Sequence, residues 1–169
     1  VSIGYGRRIQ KSNYCDTCPV ARLGRQTWFF GAMGIGSVST NFPTGGKRYP
    51  VYALSLFSRK IIGDKGGVEV SFDIMSKQSN IEFSKDVPKT QLDLIQLGAF
   101  AGFILPLDHV HFVLGMGVYV RDKFSPVDGF YHRAGVRYVF NNGINLGVVL
   151  KSHWARADYF EYGIGYTFG

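Results

Sequence analysis

The chain has no long apolar run. Its longest candidate, Leu97 to Leu107, falls short of the ~18 residues a spanning helix needs. It also carries Gly98, Gly102, Pro106 and the β-branched Ile104, all poor helix formers. A transmembrane helix is therefore excluded. Cysteine is scarce: there are two, in Cys15-Asp16-Thr17-Cys18. This spacing marks redox or zinc chemistry when a βαβ pattern or a second pair accompanies it, and neither is present. The pair reads as a disulfide or an inert pair, with a metal half-site and redox activity as the alternatives. Acidic residues are short as well, 12 against 19 Lys and Arg, for a net charge of +7. Basic excess often signals nucleic acid, but these cations are dispersed and form no patch, so no nucleic-acid partner is expected. Lipid headgroups and carboxylates inside a narrow barrel suit them better.

Other absences narrow the field further. Gly34-Ile35-Gly36 and Gly163-Ile164-Gly165 lie in predicted strands with no helix following, so they are not phosphate loops and no dinucleotide cofactor is expected. No low-complexity tract or internal repeat longer than one hairpin is present. The chain opens at Val1 with no basic stretch leading into an apolar one, as a mature, processed export product would.

What the chain has in abundance is glycine, 22 residues, and aromatics, 15%. A soluble domain averages about 7% glycine. The C-terminal third shows how they are used. Phe130 to Phe140, Ile144 to Trp154 and Tyr159 to Phe168 each alternate. In the last of these, Phe160, Tyr162, Ile164, Tyr166 and Phe168 share one face, and Tyr159, Glu161, Gly163, Gly165 and Thr167 the other. Lipid on one side and a crowded polar lumen on the other require this composition. The mean hydropathy of +0.01 is no objection, because the two faces of each strand cancel.

Eight strands are predicted: Thr27 to Ser37, Tyr49 to Ser58, Val68 to Met75, Gln91 to Ile104, Val110 to Arg121, and the three above. Their connectors alternate in length. Lys60 to Gly67, Pro106 to Asp108 and the hairpin signal Asn141-Asn142-Gly143 are short. Thr40 to Arg48, Ser76 to Thr90 and Asp122 to Gly129 are long, with the short Ala155 to Asp158 sharing their parity. Outer-membrane barrels have short periplasmic turns and longer external loops. The fold class expected is all-β, an eight-stranded antiparallel transmembrane barrel over residues 27–169, preceded by a periplasmic N-terminal arm over residues 1–26. A soluble lipocalin-like barrel has the same connector parity but the opposite polarity, with apolar residues inside. The outward aromatics favour the membrane version.

An eight-stranded barrel is just wide enough for side chains to fill. The predicted inward set supplies a charge network of Glu69, Asp73, Arg121, Arg133, Arg137 and Lys151, beside His111, Tyr119, His153 and Glu161. Such groups are stable only as pairs, which predicts a filled lumen and no pore. His109 and His111 have the spacing of a metal pair but no third ligand, so no metal is expected. His153 and Glu161 form the suggestive constellation. If Trp154 and Phe160 face lipid together, these two lie opposite each other, and a carboxylate beside a histidine fixes its tautomer.

At this point the chain resembles the PagL-type lipid A deacylases, small eight-stranded outer-membrane barrels. These carry a His-x-Ser-Asn segment near the end of the penultimate strand, and a Glu that follows completes an esterase triad. The matching stretch here is His153-Trp154-Ala155-Arg156, followed by Glu161. The resemblance implies an acyl hydrolase with His153 and Glu161 as catalytic residues. The chain departs from the pattern in three ways: Ala155 stands at the nucleophile position, the His-to-Glu spacing is shorter, and simple parity turns both residues inward. The leading expectation is therefore non-enzymatic: a scaffold or accessory subunit in the outer membrane of a Gram-negative bacterium. Its partners would be outer-membrane lipids including lipopolysaccharide, and other outer-membrane or periplasmic proteins. Lipid A or phospholipid hydrolysis is the alternative. Surface adhesion through Thr40 to Arg48 and Ser76 to Thr90 is a third.

Overall fold

The computed structural model describes residues 28–40, 46–62, 66–79, 93–122, 129–153 and 156–168. They form β1 (Trp28–Thr40), β2 (Arg48–Ile62), β3 (Gly66–Lys77), β4 (Ile95–Leu107), β5 (Val110–Arg121), β6 (Phe130–Val139), β7 (Ile144–His153) and β8 (Arg156–Phe168). Each strand pairs antiparallel with the next, and β1 pairs with β8 to close the barrel. Closure leaves no unpaired edge, which hydrocarbon would not tolerate. The strands run from 10 to 15 residues, enough for a tilted crossing that needs about 9–11. Among the described residues no helix is long and apolar enough to cross a membrane.

Alternation sets which side chain faces where. Along β8, Phe160, Tyr162, Ile164, Tyr166 and Phe168 all point outward and are exposed. Along β5 the outward set is Phe112, Leu114, Met116, Val118 and Val120. Outward residues in the isolated chain are thus overwhelmingly apolar, and the polar residues are inside, the reverse of a lipocalin. Inward glycines make room for the rings opposite. A Cβ on Gly117 would collide with the Tyr131 ring, and one on Gly98 would sit 2.9 Å from the Tyr131 hydroxyl.

The strands run longer than expected and the turns are tighter. The connector between β2 and β3 is residues 63–65, because Lys60 to Ile62 still pair with Gly66 to Val68. Pro106 and Leu107 stay in β4, paired with His111 and Val110, so the turn falls on Asp108 and His109. Asp108 adopts φ +56°, a left-handed conformation that aspartate tolerates. In the β6–β7 turn Gly143 takes φ +87°, and the Ile144 amide donates to Asn142 Oδ1 at 3.1 Å. β4 begins at Ile95 and not Gln91, and β8 begins at Arg156 and not Tyr159. The last hairpin is therefore tighter than the expected Ala155 to Asp158 connector. The short turns 63–65, 108–109 and 140–143 share one end with Trp28 and Phe168, which marks it as periplasmic. The expected arm, residues 1–26, with Cys15 and Cys18, lies outside the described residues, as do most of the long loops.

Candidate functional site

The lumen is a stack of polar layers. Nearest the periplasm, Glu69 on β3 takes a fork from Arg137 across the barrel on β6, with Nη1 donating to Oε2 at 2.6 Å and Nη2 to Oε1 at 3.1 Å. Arg59, beside Glu69 in the β2–β3 register, approaches Oε2 only to 3.6 Å. Phe57 lies against both guanidinium groups, 4.5 Å from Arg59 and 4.9 Å from Arg137.

In the next layer Arg133 bridges two carboxylates. Nη1 donates to Asp73 Oδ2 at 2.6 Å, Nη2 to Glu161 Oε1 at 3.1 Å, and Nε lies 2.9 Å from Glu161 Oε2. The Tyr131 hydroxyl donates to Asp73 Oδ2 at 2.7 Å and the Ser71 hydroxyl to Oδ1 at 3.2 Å. Between these layers is a void of about 20 Å³ lined by Ser55, Glu69, Arg133, Arg137 and Glu161 among others, room for about one water. Above them Lys151, fully buried, points Nζ among the rings of Tyr131 (4.3 Å), Tyr119 (4.9 Å) and Tyr159 (5.7 Å). It donates to Met75 Sδ at 2.9 Å.

The external mouth holds the only group in the lumen, among the described residues, with both an imidazole and partial access to solvent. His153 Nε2 lies 3.1 Å from the Tyr119 hydroxyl, and Nδ1 lies 3.6 Å from Asp158 Oδ2. Lys77 donates to both Asp158 oxygens, at 3.0 and 2.9 Å. With its proton on Nδ1, facing Asp158, the imidazole presents Nε2 to accept from Tyr119. Hydroxyl and imidazole are then hydrogen-bonded, with the carboxylate at ion-pair distance behind them, the three group types a proton-transfer site uses.

Sequence reasoning put Glu161 beside His153, and the structure does not. Glu161 pairs with Val149, and His153 pairs with Arg156. The cause is the register of the last hairpin, which sets Phe160 opposite Leu150 and not opposite Trp154. A bulge then puts a different carboxylate beside His153. Ser152 pairs with Ala157 and Lys151 with Tyr159, so Asp158 is the extra residue on β8. By alternation Asp158 would face lipid; the bulge turns it inward to His153 and Lys77. Re-aiming a side chain is what bulges do. Arg121 is likewise not in the charge network. It lies exposed at the end of β5, beyond a second register shift between Leu97 and Gly98. Arg59 is a network member that sequence reasoning missed. Both faces of β2 are largely apolar, so its alternation carried little signal. His109 and His111 do not converge. His109 stacks on the outward Tyr138 and contacts the Val139 carbonyl at 3.0 Å, while His111 is buried in the lumen. Among the described residues no three His, Cys, Asp or Glu side chains are grouped to hold a metal.

With this geometry in hand, the comparisons with known proteins are specific. Residues 26–169 match the family described as acyloxyacyl hydrolase, C-terminal domain. No curated protein matches the chain. Among solved structures, the attachment invasion locus protein Ail of Yersinia pestis is similar over 85% of this chain and 99% of its own, at 14% identity and a TM-score of 0.50. Its complex with the heparin analogue sucrose octasulfate gives 13% identity and a TM-score of 0.51 over the same shares. At such identities the likeness is one of fold: a small outer-membrane barrel.

Proposed function

Because the chain belongs to the family of acyloxyacyl hydrolase C-terminal domains, and is an eight-stranded barrel of the bacterial outer membrane, we propose that it is a member that does not hydrolyse: a filled scaffold or accessory subunit. One observation carries this reading. Glu161, the carboxylate that the family resemblance would enlist, has both oxygens engaged by Arg133 and is 3% exposed. Ala155, which has no hydroxyl, stands where the nucleophile would be. The partners under this reading are outer-leaflet lipids, lipopolysaccharide included, and an outer-membrane or periplasmic protein that the barrel anchors. The test is mass spectrometry of lipid A from a Gram-negative host expressing either wild type or His153→Ala. The expected spectra are identical. An acyl chain lost only with wild type overturns the proposal. Purification in mild detergent tests the accessory role, and a strictly solitary barrel counts against it.

A second reading, acyl-ester hydrolysis, is favoured by the Tyr119–His153–Asp158 cluster at the mouth. In it His153 takes a proton from a water as the water oxygen adds to the ester carbonyl, then returns it to the departing alkoxide. Asp158, and not Glu161, then steadies the imidazolium. The lipid A experiment separates the two readings.

A further inference from the structure

The buried charges of the lumen do not balance, and the imbalance is local. Among the described residues four cations, Arg59, Arg133, Arg137 and Lys151, face three carboxylates, Glu69, Asp73 and Glu161, all at 6% exposure or less. The upper two layers are neutral: Arg133 and Lys151 against Asp73 and Glu161. The excess lies in the layer nearest the periplasm, where Arg59 and Arg137 share only Glu69.

That layer also has donors to spare. Arg137 occupies both oxygens of Glu69, so Arg59 is held beyond hydrogen-bond range at 3.6 Å. Among the described residues Arg59 Nε and Nη2 and Arg137 Nε are buried and make no hydrogen bond, as is true of Arg133 Nε one layer up; the buried His111 ring has the Asp108 backbone as its polar neighbour. His111 neighbours Arg137 in the β5–β6 register, and the charges of both Arg59 and Arg137 act on it. The Phe57 ring lies 4.5 and 4.9 Å from the two guanidinium carbons and offers their N–H groups no acceptor in its plane. Phe29, paired with Arg59, and Ile61, Ile104 and Val139 toward the short-turn end are buried apolar side chains. An uncompensated cation and several unpaired donors in such a dry place are costly.

We propose that a single small monovalent anion, of halide size, binds in this layer between Arg59, Arg137 and His111. One negative charge neutralises the excess, and a spherical acceptor can take several N–H groups that converge from different strands. A void of about 20 Å³ borders the layer at Glu69 and Arg137, with neither Arg59 nor His111 in its lining, and packing this close suits a single-atom ion better than a phosphate, sulfate or sugar. The ion is a structural ligand of the lumen. It stands apart from the mouth cluster and is independent of whether the barrel hydrolyses anything.

The test uses bromide as the probe. Crystals of the purified barrel grown in bromide are expected to show one anomalous peak within contact of Arg59 and His111, absent in Arg59→Gln. In detergent at fixed ionic strength, the wild-type Tm is expected to rise with chloride relative to gluconate, following the logarithm of one plus anion concentration over Kd. Arg59→Gln loses this rise. His111→Phe, which keeps the buried charge count, weakens it, and so gives a second reading should Arg59→Gln fail to fold. Lys77→Gln at the mouth leaves it unchanged. A wild-type site that holds only water, or halide dependence that persists in both lumen variants, overturns the proposal.

Discussion

Two levels of one lumen use the same residue types to different ends. At mid-height each oxygen of Asp73 and Glu161 lies within 3.2 Å of a hydroxyl or of Arg133, which joins the two carboxylates at 5% exposure. At the external mouth Asp158 also meets a cation, but Lys77, Asp158 and His153 keep 19%, 17% and 18% of their side-chain surface. The geometry is looser too, with 3.6 Å between imidazole and carboxylate. The comparison teaches that a carboxylate's residue type does not decide its work. Glu161 is sealed and saturated, so it can only hold strands together. Asp158 is half-open and shared, so it can respond to whatever enters the mouth.

The largest effect is expected from breaking the dry level. Arg133→Met strands two buried carboxylates, and removing one partner of a buried pair costs about 3–5 kcal/mol. Urea titration of the refolded barrel in lipid vesicles is the measurement. The quadruple variant Arg133→Met, Lys151→Met, Asp73→Asn, Glu161→Gln removes two charges of each sign together and is expected to recover most of the loss. A single variant within 1 kcal/mol of wild type, an effect of surface size, would show that the level is not dry. Lys151 sits between the two levels and sharpens the comparison. Its ammonium has three rings and a thioether as neighbours and, among the described residues, no carboxylate within ion-pair distance. Lys151→Met keeps the volume and forfeits the desolvated cation–π contacts, for an expected loss of about 2 kcal/mol in the same titration. No change would mean that the amine is structurally idle.

The fold was legible because it rests on period-two alternation over six or more turns of the pleat. β5 and β8 state it without ambiguity, and connector parity orients the barrel. The network was partly legible for the same reason: Glu69, Asp73, Arg133, Arg137 and Lys151 lie on strands whose opposite faces are apolar. Arg59 escaped because β2 places Val51, Phe57 and Ile61 inside and Leu54, Leu56 and Ile62 outside, so neither face reads as lipid. The mouth escaped for a different reason. Parity extrapolates through a strand only while the register holds, and one extra residue on β8 reverses it. That residue is Asp158. The bulge turns inward an aspartate that alternation, carried on from Tyr159, would point to lipid, and the tight register of the hairpin, with Phe160 opposite Leu150, sets Glu161 away from His153. Sequence reasoning left Asp158 in the connector Ala155 to Asp158, so nothing flagged that the strand continues through it with a shifted register.

The smallest effect, and the one that cuts between the two levels, is expected from Asp158→Asn. The amide keeps the shape and loses the charge that Lys77 and His153 share. Because all three groups stay partly solvated, the cost should not exceed about 1 kcal/mol, the range of exposed ion pairs. Glu161→Gln, the same chemical change three residues deeper, about 10 Å of strand by the rise per residue, should cost several-fold more in the same urea titration, because it leaves part of the Arg133 charge unmatched in a dry site. Equal costs would erase the distinction between a sealed and an open carboxylate. The lipid A spectrum of each variant adds an independent axis. Both should match wild type if the barrel does not hydrolyse. Should wild type remove an acyl chain, loss of that activity in Asp158→Asn would assign the chemistry to the mouth, through the carboxylate that the bulge turned inward.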